Sequence, residues 1–180
     1  FRFGTCGSLQ AHIPVDSFVA GSHGLGFDNV MHYYSEQCTK EETQMIDAFI
    51  AHTGLKGNVT PYIFTGSNEL LQHFSKGFYQ GITVGCPGFY GPQGRVLRLG
   101  LAYPGLIEKL TDFRFGNTFI SNFEMETSAI YGLGRALRHR CLSLNVIVAN
   151  RVLKQFSKDG AAAVENLIKA SLEIIAAHNL

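Results

Sequence analysis

Short apolar runs alternate with helix-like patterns along the 180 residues of the chain, and this alternation predicts an α/β domain. Six runs are predicted strands: residues 1–5, 17–20, 62–65, 81–85, 118–121 and 142–149. The last of them, "LSLNVIVA", is nearly continuous in apolar residues, as expected for a strand that is covered on both faces.

Three segments carry apolar residues at helical spacing. The first covers residues 40–54, "KEETQMIDAFIAHTG", where Gly54 is the stop signal. The second covers residues 125–138. The third covers residues 160–178 and has one apolar face, so it is predicted to be a packing helix with no chemistry of its own. Two glycine-rich connections, residues 21–29 and 86–95, complete the pattern.

Composition narrows the class of protein. With 46% hydrophobic and 16% charged residues, the chain fits one globular domain over residues 1–180. A formal charge of +1 without a Lys/Arg cluster argues against nucleic acid or a membrane surface as partner. The apolar runs are shorter than the ~20 residues that cross a bilayer. Because the chain opens at Phe1 inside a strand-like segment, we expect an N-terminal portion of the domain to precede it.

Cysteine and histidine usage predicts neither disulfides nor metal. Cys6, Cys38, Cys86 and Cys141 form no C-x-x-C pair, and reduced thiols of a cytoplasmic protein are the expected reading. The seven histidines show no metal-ligand spacing. The segment "GLGRAL", residues 132–137, resembles a dinucleotide fingerprint, but it falls inside a predicted helix, where its glycines are expected to permit close packing.

Three short stretches carry candidate chemistry. "RFGTCG", residues 2–7, reads as a strand that ends in a glycine turn, where Arg2 and Thr5 could serve an oxyanion; a plain tight turn with a surface arginine is the alternative. "FYGPQGR", residues 89–95, places an aromatic ring, an amide and a guanidinium on one loop, a set that suits the edge of a heterocyclic base; an ordinary solvent-facing loop is the alternative.

The third stretch, "EME", sets two glutamates one residue apart among apolar neighbours. In an extended segment Glu124 and Glu126 share one face, so their carboxylates need an arginine, backbone N–H groups or sugar hydroxyls as partners. Helix capping is the alternative, and it explains one glutamate more naturally than both.

Taken in order, "RFGTCG", "PGFYGPQGR", "NFEMETSAIYGLGRAL" and "VIVANR" resemble the nucleoside phosphorylase superfamily, and most closely its uridine phosphorylases. The resemblance covers the whole chain, which looks like the C-terminal two-thirds of a family member. It implies a central mixed β-sheet, partly barrel-like, flanked by helices in three layers. It also implies reversible phosphorolysis: inorganic phosphate is the co-substrate, no other cofactor takes part, and uridine gives uracil and ribose 1-phosphate in pyrimidine salvage.

The resemblance assigns site residues one by one. Arg2, Gly4 and Thr5 match phosphate contacts, and Thr5, Met125 and Glu126 match ribose contacts. Phe89, Gln93 and Arg95 match the base-recognition loop, with Val148 and Ala149 as an apolar wall. Glu124 matches a supporting glutamate that pairs with a basic residue. Arg2, Glu126, Gln93 and Arg95 are thereby the expected catalytic set.

The resemblance also separates base classes. Purine-cleaving relatives carry an aspartate near the position of Asn150 and Arg151, and asparagine cannot donate a proton to a purine ring nitrogen. We therefore expect uridine cleavage by a homo-oligomer, a dimer or a trimer of dimers. A purine phosphorylase, a nucleosidase that uses water, and a non-catalytic nucleoside-binding or storage relative remain the alternatives.

Overall fold

The computed structural model describes residues 1–55, 57 and 59–180 of the chain. Eight strands form one mixed sheet in the described part: β1 (Arg2–Ser8), β2 (Phe18–Gly26), β3 (Tyr62–Thr65), β4 (Phe78–Gly85), β5 (Arg114–Phe115), β6 (Thr118–Glu124), β7 (Ser143–Asn150) and β8 (Gln155–Phe156). Five α-helices flank it there: α1 (Lys40–Thr53), α2 (Asn68–Leu71), α3 (Leu106–Asp112), α4 (Thr127–Ala136) and α5 (Gly160–His178).

Five of the strands close on themselves as a barrel. The strands follow the order β2–β4–β6–β1–β7, and the antiparallel pairing of β7 with β2 completes the ring. β3 and β8 extend the sheet beside β2 and β7, and β5 pairs with β6. The predicted fold class, a partly barrel-like mixed sheet between helices, is thereby confirmed. No helix in the described residues is long and apolar enough to cross a membrane.

The helices cover the barrel on opposite sides. α5 packs on β7 and β1 over a core that contains Leu144, Val146 and Leu167, all fully buried. α1 and α3 cover a second core around Phe49, Leu110 and other buried aliphatic and aromatic side chains. α4 lies against β2, β3 and β4. The barrel is therefore buried on its outer face by helices on more than one side.

Three predicted elements match closely. β3 and α5 have the predicted bounds, and α1 ends one residue before Gly54, which takes the left-handed conformation at φ 69° that favours glycine at a helix C-terminus. α4 begins at Thr127 and ends at Ala136, a shorter helix than predicted. β4, β6 and β1 are each longer than predicted, and α2, α3, β5 and β8 were not predicted.

The prediction of a glycine-rich connection at residues 21–29 was wrong, because β2 continues through Gly26. A Cβ atom at Gly24 would lie 2.8 Å from Cα of Ser128, and one at Gly26 would lie 2.3 Å from the Tyr62 ring. The glycines thus let α4 and β3 approach β2 closely. Likewise β1 does not end in a glycine turn at Gly7 but continues to Ser8 with a register shift at Gly7.

The glycines of "GLGRAL" lie inside α4, as predicted, and serve packing. A Cβ atom at Gly132 would meet the Met31 side chain at 2.5 Å, and one at Gly134 would crowd the Cys141 sulfur. All four cysteines are free thiols.

A buried ion pair ties α1 to α4. The carboxylate of Glu42, 2% exposed, accepts from the Arg135 guanidinium at 2.5 and 2.8 Å and from the backbone N–H groups of Thr39 and Thr65. Burial alone would raise the pKa of Glu42, but these donors prevail and hold its pKa at about 2. The same carboxylate completes the capping box at the start of α1.

Because the folded-state pKa of Glu42 lies below its ordinary value, the ionised carboxylate stabilises the fold. That stability is present above pH 4.5 and is lost as the pH falls towards about 2. Glu42→Gln should lower the free energy of unfolding at pH 7 by about 3 kcal/mol and flatten its dependence on pH between these limits. Urea unfolding followed by circular dichroism measures both.

Glu69→Gln is the matched control, since Glu69 forms an exposed ion pair with Arg140. Its loss should cost less than about 1 kcal/mol. Equal losses for the two variants would contradict the assignment of stability to the buried pair.

Candidate active site

The candidate site is a cavity of about 320 Å³ beside the point where β4 and β6 end. These strands run in parallel, and their last residues, Gly85 and Glu124, are register partners. The loop from Cys86 onwards and the segment Met125–Glu126 therefore leave the barrel side by side. All but one of the site residues predicted from the sequence line this cavity: Arg2, Thr5, Phe89, Gln93, Arg95, Glu124, Met125, Glu126, Val148 and Ala149.

Gly4 is the exception. A Cβ atom at Gly4 would lie 2.5–2.7 Å from the guanidinium atoms of Arg2. The absence of a side chain there leaves the space in which the Arg2 guanidinium lies. In this structure Gly4 thus acts on the site through Arg2, and its assignment as a phosphate contact stays a prediction.

Arg2 lies between two carboxylates. Its Nη2 atom is 3.1 Å from Glu124 Oε2 and 2.5 Å from Glu126 Oε2. Its Nη1 atom donates to the side chains of Asn145 and Ser143 on the neighbouring strand β7. The guanidinium is therefore fixed by charge-assisted bonds at the floor of the cavity, and it resolves the repulsion that the "EME" motif poses in the sequence.

The two glutamates have different surroundings. The Glu124 carboxylate is buried and accepts from the backbone N–H groups of Glu126 at 3.0 Å and Thr127 at 3.1 Å, the first groups of α4. The Glu126 side chain is 54% exposed and makes no capping bond. The capping alternative thus holds for Glu124, and Glu126 keeps an exposed carboxylate for another partner.

Burial raises the pKa of the Glu124 carboxyl, against the opposing effects of the Arg2 charge and of the two backbone N–H groups. Burial also raises the pKa of the Cys6 thiol, which lines the same cavity, far above its ordinary range. Cys6 is 5% exposed and its thiol donates to the carbonyl of Val146, so it packs against β7.

The base-recognition candidates form one preassembled unit. A 3-10 turn over Gly91–Gln93 buries the Gln93 side chain, which is 5% exposed. Arg95 donates to Gln93 Oε1 at 2.6 Å and to the backbone carbonyl of Phe89 at 2.5 Å, and its guanidinium carbon lies 3.6 Å from the centroid of the Phe89 ring. The contact with Arg95 fixes the orientation of the Gln93 amide, while Phe89 is half exposed at the cavity edge.

Arg151 lies beside the candidate cavity, and the motif analysis assigned it no role. Its side chain lies against Gly7 and its guanidinium 5.4 Å from the centroid of the Phe123 ring, and both of these residues line the cavity. Nη1 of Arg151 is buried and has no hydrogen-bond partner in the described structure. Burial lowers the pKa of Arg151, and burial together with the positive charge of Arg151 lowers the pKa of Arg95. Arg151 and Gly94, the neighbour of Arg95, line one further cavity, so two arginines that are 56 positions apart in the sequence lie near each other.

Asn150 has a structural role. Its amide donates to the carbonyls of Gln10 and Ile13, and its oxygen accepts from the backbone N–H groups of Val152 and Leu153. The hydrogen bonds of this buried side chain thereby join the segment after β1 to the turn after β7. No group of three or more His, Cys, Asp or Glu side chains in residues 1–55, 57 and 59–180 could hold a metal ion.

The family model for the phosphorylase superfamily matches residues 1–176, and the chain belongs to this superfamily. The uridine phosphorylase of Thermococcus kodakarensis is 28% identical over 108 residues, which are 60% of this chain and 38% of that protein. A Trypanosoma brucei nucleoside phosphorylase, whose crystal structure is described as showing uridine phosphorylase activity, superposes with a TM-score of 0.86 at 28% identity over 98% of this chain.

A uridine phosphorylase from the oomycete Phytophthora capsici superposes on 92% of this chain, and on 60% of its own, with a TM-score of 0.55. At 21% identity this match shows the fold alone. The chain spans 62% of the trypanosome protein and a smaller share of the Thermococcus protein. These matches confirm the predicted family and agree with the predicted fold.

The unequal surroundings of the two glutamates predict unequal effects on stability. Glu124→Ala removes the cap of α4 and leaves Arg2 short of its buried partner, so the free energy of unfolding should fall by about 3 kcal/mol. Glu126→Ala removes an exposed partner and should cost less than about 1 kcal/mol. Urea unfolding of both variants checks this order, and losses of equal size would show that Glu124 is not the residue that anchors the helix.

Proposed function

We propose that the protein is a uridine phosphorylase, which cleaves uridine with inorganic phosphate to uracil and ribose 1-phosphate. The observation that carries this proposal is the composition of the cavity. One space joins a fixed guanidinium and an exposed carboxylate, Arg2 and Glu126, with the Gln93–Arg95 pair and the Phe89 ring. An anion, a sugar and a planar base edge each find complementary groups there.

We place the anion and the sugar beside Arg2 and Glu126. Arg2 presents N–H donors, and Thr5 is an exposed residue that lines the same cavity, so the two can hold a phosphate near C1′ of the ribose. The Glu126 carboxylate can accept from the ribose hydroxyls, with Met125 against the sugar. Holding both reactants in line converts a bimolecular attack into an intramolecular one.

We place the base beside Gln93 and Phe89. Gln93 offers an oxygen to the N3–H group of uracil and an amide N–H to a neighbouring carbonyl, while Phe89 provides an aromatic face and Val148 and Ala149 an apolar wall. A phosphate oxygen forms the new bond to C1′ as the bond from C1′ to N1 breaks, and the electron pair of that bond remains on uracil. Uracil then takes a proton from solvent.

The negative charge on the departing base is the quantity that the site must stabilise. Arg95 lines the cavity, and Arg151 lies against Gly7 of the same cavity and shares a neighbouring cavity with Gly94. The Nη1 group of Arg151 is buried and has no partner in the described structure. Two guanidinium groups that repel each other are stabilised more by a bound anion than by a neutral base. Their contribution therefore grows towards the transition state, which is the condition for catalysis.

The same residues favour a pyrimidine over a purine. A departing purine benefits from a proton donated to its ring nitrogen, and Asn150, whose amide is held by four backbone groups, supplies none. We place the reaction in pyrimidine salvage in the cytoplasm, with inorganic phosphate as co-substrate and without another cofactor.

The direct test is an assay of uracil release from uridine, with and without phosphate. We expect release that depends on phosphate and yields ribose 1-phosphate. Glu126→Ala should lower kcat/KM by at least about 100-fold, since it removes a charged contact to the sugar. Glu165→Ala, at an exposed position of α5, is the control and should leave kcat/KM unchanged.

Three other outcomes of these experiments would each indicate a different function. Release without phosphate would indicate a nucleosidase, and cleavage restricted to inosine or adenosine would indicate a purine phosphorylase. Calorimetry that detects uridine binding without turnover would indicate a non-catalytic binding protein. Any of the three would overturn the proposal.

We further propose that the protein is a homo-oligomer, a dimer or a trimer of dimers. The segment that follows the base loop exposes three large aliphatic side chains, Val96, Leu97 and Leu99, to fractions of 63%, 72% and 84%. It borders an apolar cavity of about 780 Å³ that also includes Tyr90 and Arg95. Clustered exposed aliphatic side chains are typical of a protein–protein interface, and a second copy of the chain would cover them.

Sedimentation velocity at micromolar protein concentration tests this interface. The double variant Leu97→Ser/Leu99→Ser should sediment as a smaller species than the wild type. Leu137→Ser, which replaces an exposed leucine outside the segment, should leave the sedimentation coefficient unchanged. A monomeric wild type, or an unchanged oligomer in the double variant, would contradict the proposal.

A further inference from the structure

We propose that the ion pair of Arg2 and Glu126 couples the two substrates, so that phosphate and nucleoside each raise the affinity of the site for the other. The inference rests on the proposed function and concerns how the same cavity admits its two ligands. Its basis is a conflict between contacts: Arg2 is the donor to an anion and Glu126 the acceptor for ribose hydroxyls, yet the two groups bind each other.

The contact between them occupies one terminal nitrogen of Arg2 and one carboxylate oxygen of Glu126. Glu126 Oε2 lies 2.5 Å from Nη2 of Arg2, and this Nη2 also contacts Glu124 at 3.1 Å. Nη1 is committed to β7 through Asn145 and Ser143. An oxyanion that binds Arg2 end-on must therefore compete for Nη2.

Of the groups around Arg2, Glu126 is the one that can yield. Asn145, Ser143 and Glu124 are buried, and Glu124 is held in place by two backbone N–H groups of α4. The Glu126 side chain is 54% exposed, and it contacts Arg2 and the Glu124 carboxyl. Rotation of Glu126 away from Arg2 breaks one ion pair and leaves the rest of the cluster intact.

The sign of the coupling follows from the charges. With all three groups ionised, Arg2, Glu124 and Glu126 carry a formal charge of −1, so an anion that arrives while Glu126 remains on Arg2 meets repulsion from both carboxylates. When ribose hydroxyls bind Glu126, they draw it from Nη2 and donate to its charge. Arg2 is then open to phosphate, and a phosphate already on Arg2 leaves Glu126 open to the ribose. Each ligand thus removes the competitor of the other, which gives positive cooperativity.

Isothermal titration calorimetry of uridine, with and without saturating sulfate as an unreactive oxyanion, measures the coupling. We expect uridine to bind about tenfold more tightly with sulfate, within the range of about 5- to 150-fold found for coupled sites. Sulfate should gain the same factor from uridine, because coupling is reciprocal. A uridine affinity that does not change with sulfate, or that falls, would overturn the proposal.

Glu126→Gln separates this mechanism from the proposed function. The amide cannot form an ion pair with Arg2, so sulfate should bind this variant more tightly than the wild type in the absence of nucleoside, and the coupling factor should fall below about twofold. Glu165→Gln removes one charge from an exposed site on α5 and should leave both quantities unchanged.

The two failures can be told apart. A wild type that binds no uridine contradicts the proposed function, while tighter sulfate binding by Glu126→Gln still supports competition for Arg2. Sulfate affinity equal to that of the wild type, or a coupling factor that survives in Glu126→Gln, overturns the ion-pair mechanism even if the protein is a uridine phosphorylase.

Discussion

The site depends on the contacts that the buried carboxylate of Glu124 makes. It lies at the last residue of β6, accepts from the first N–H groups of α4 and contacts the guanidinium of Arg2 on β1. One side chain thus connects β6, α4 and β1. Burial of its carboxylate away from water would be costly without these donors. Because Glu126 follows two residues later, its position relative to Arg2 is set by the same anchor.

Close approach of α4 to the barrel is the second constraint. Gly24 and Gly85 leave room for Ser128 in the first turn of α4, where a Cβ atom at Gly85 would lie 2.1 Å from the Ser128 hydroxyl oxygen. Ser128 in turn donates to Asp28, which also accepts from Tyr62 at 2.6 Å. Small residues on the strands and a short polar network therefore determine where α4 begins. The start of α4 in turn fixes the position of the ribose candidates Met125 and Glu126 at the cavity.

The base loop is organised differently, since it depends on its own contacts more than on the barrel. Arg95 folds back on Phe89 and Gln93 within six residues of chain, and the 3-10 turn buries the Gln93 amide. Such a unit can be read in a sequence because its members are neighbours. Arg151 follows the last residue of β7 and lines a cavity together with Gly94 of the base loop. The chemistry proposed for the departing base needs both arginines, one local and one remote.

The sequence by itself determined the elements with strong local signals: α1 with its stop signal at Gly54, α5 with its apolar face, and β3. It also grouped the predicted site residues in four motifs. These signals act over a few residues, so they survive without knowledge of the fold. The tertiary structure decided the rest. β2 runs through a segment whose glycines predict a loop, because the neighbouring helix and strand need the space that side chains would fill. The different surroundings of Glu124 and Glu126 likewise follow from contacts between segments that are far apart in the chain. The same holds for the position of Arg151. A local sequence pattern carries no information about such contacts.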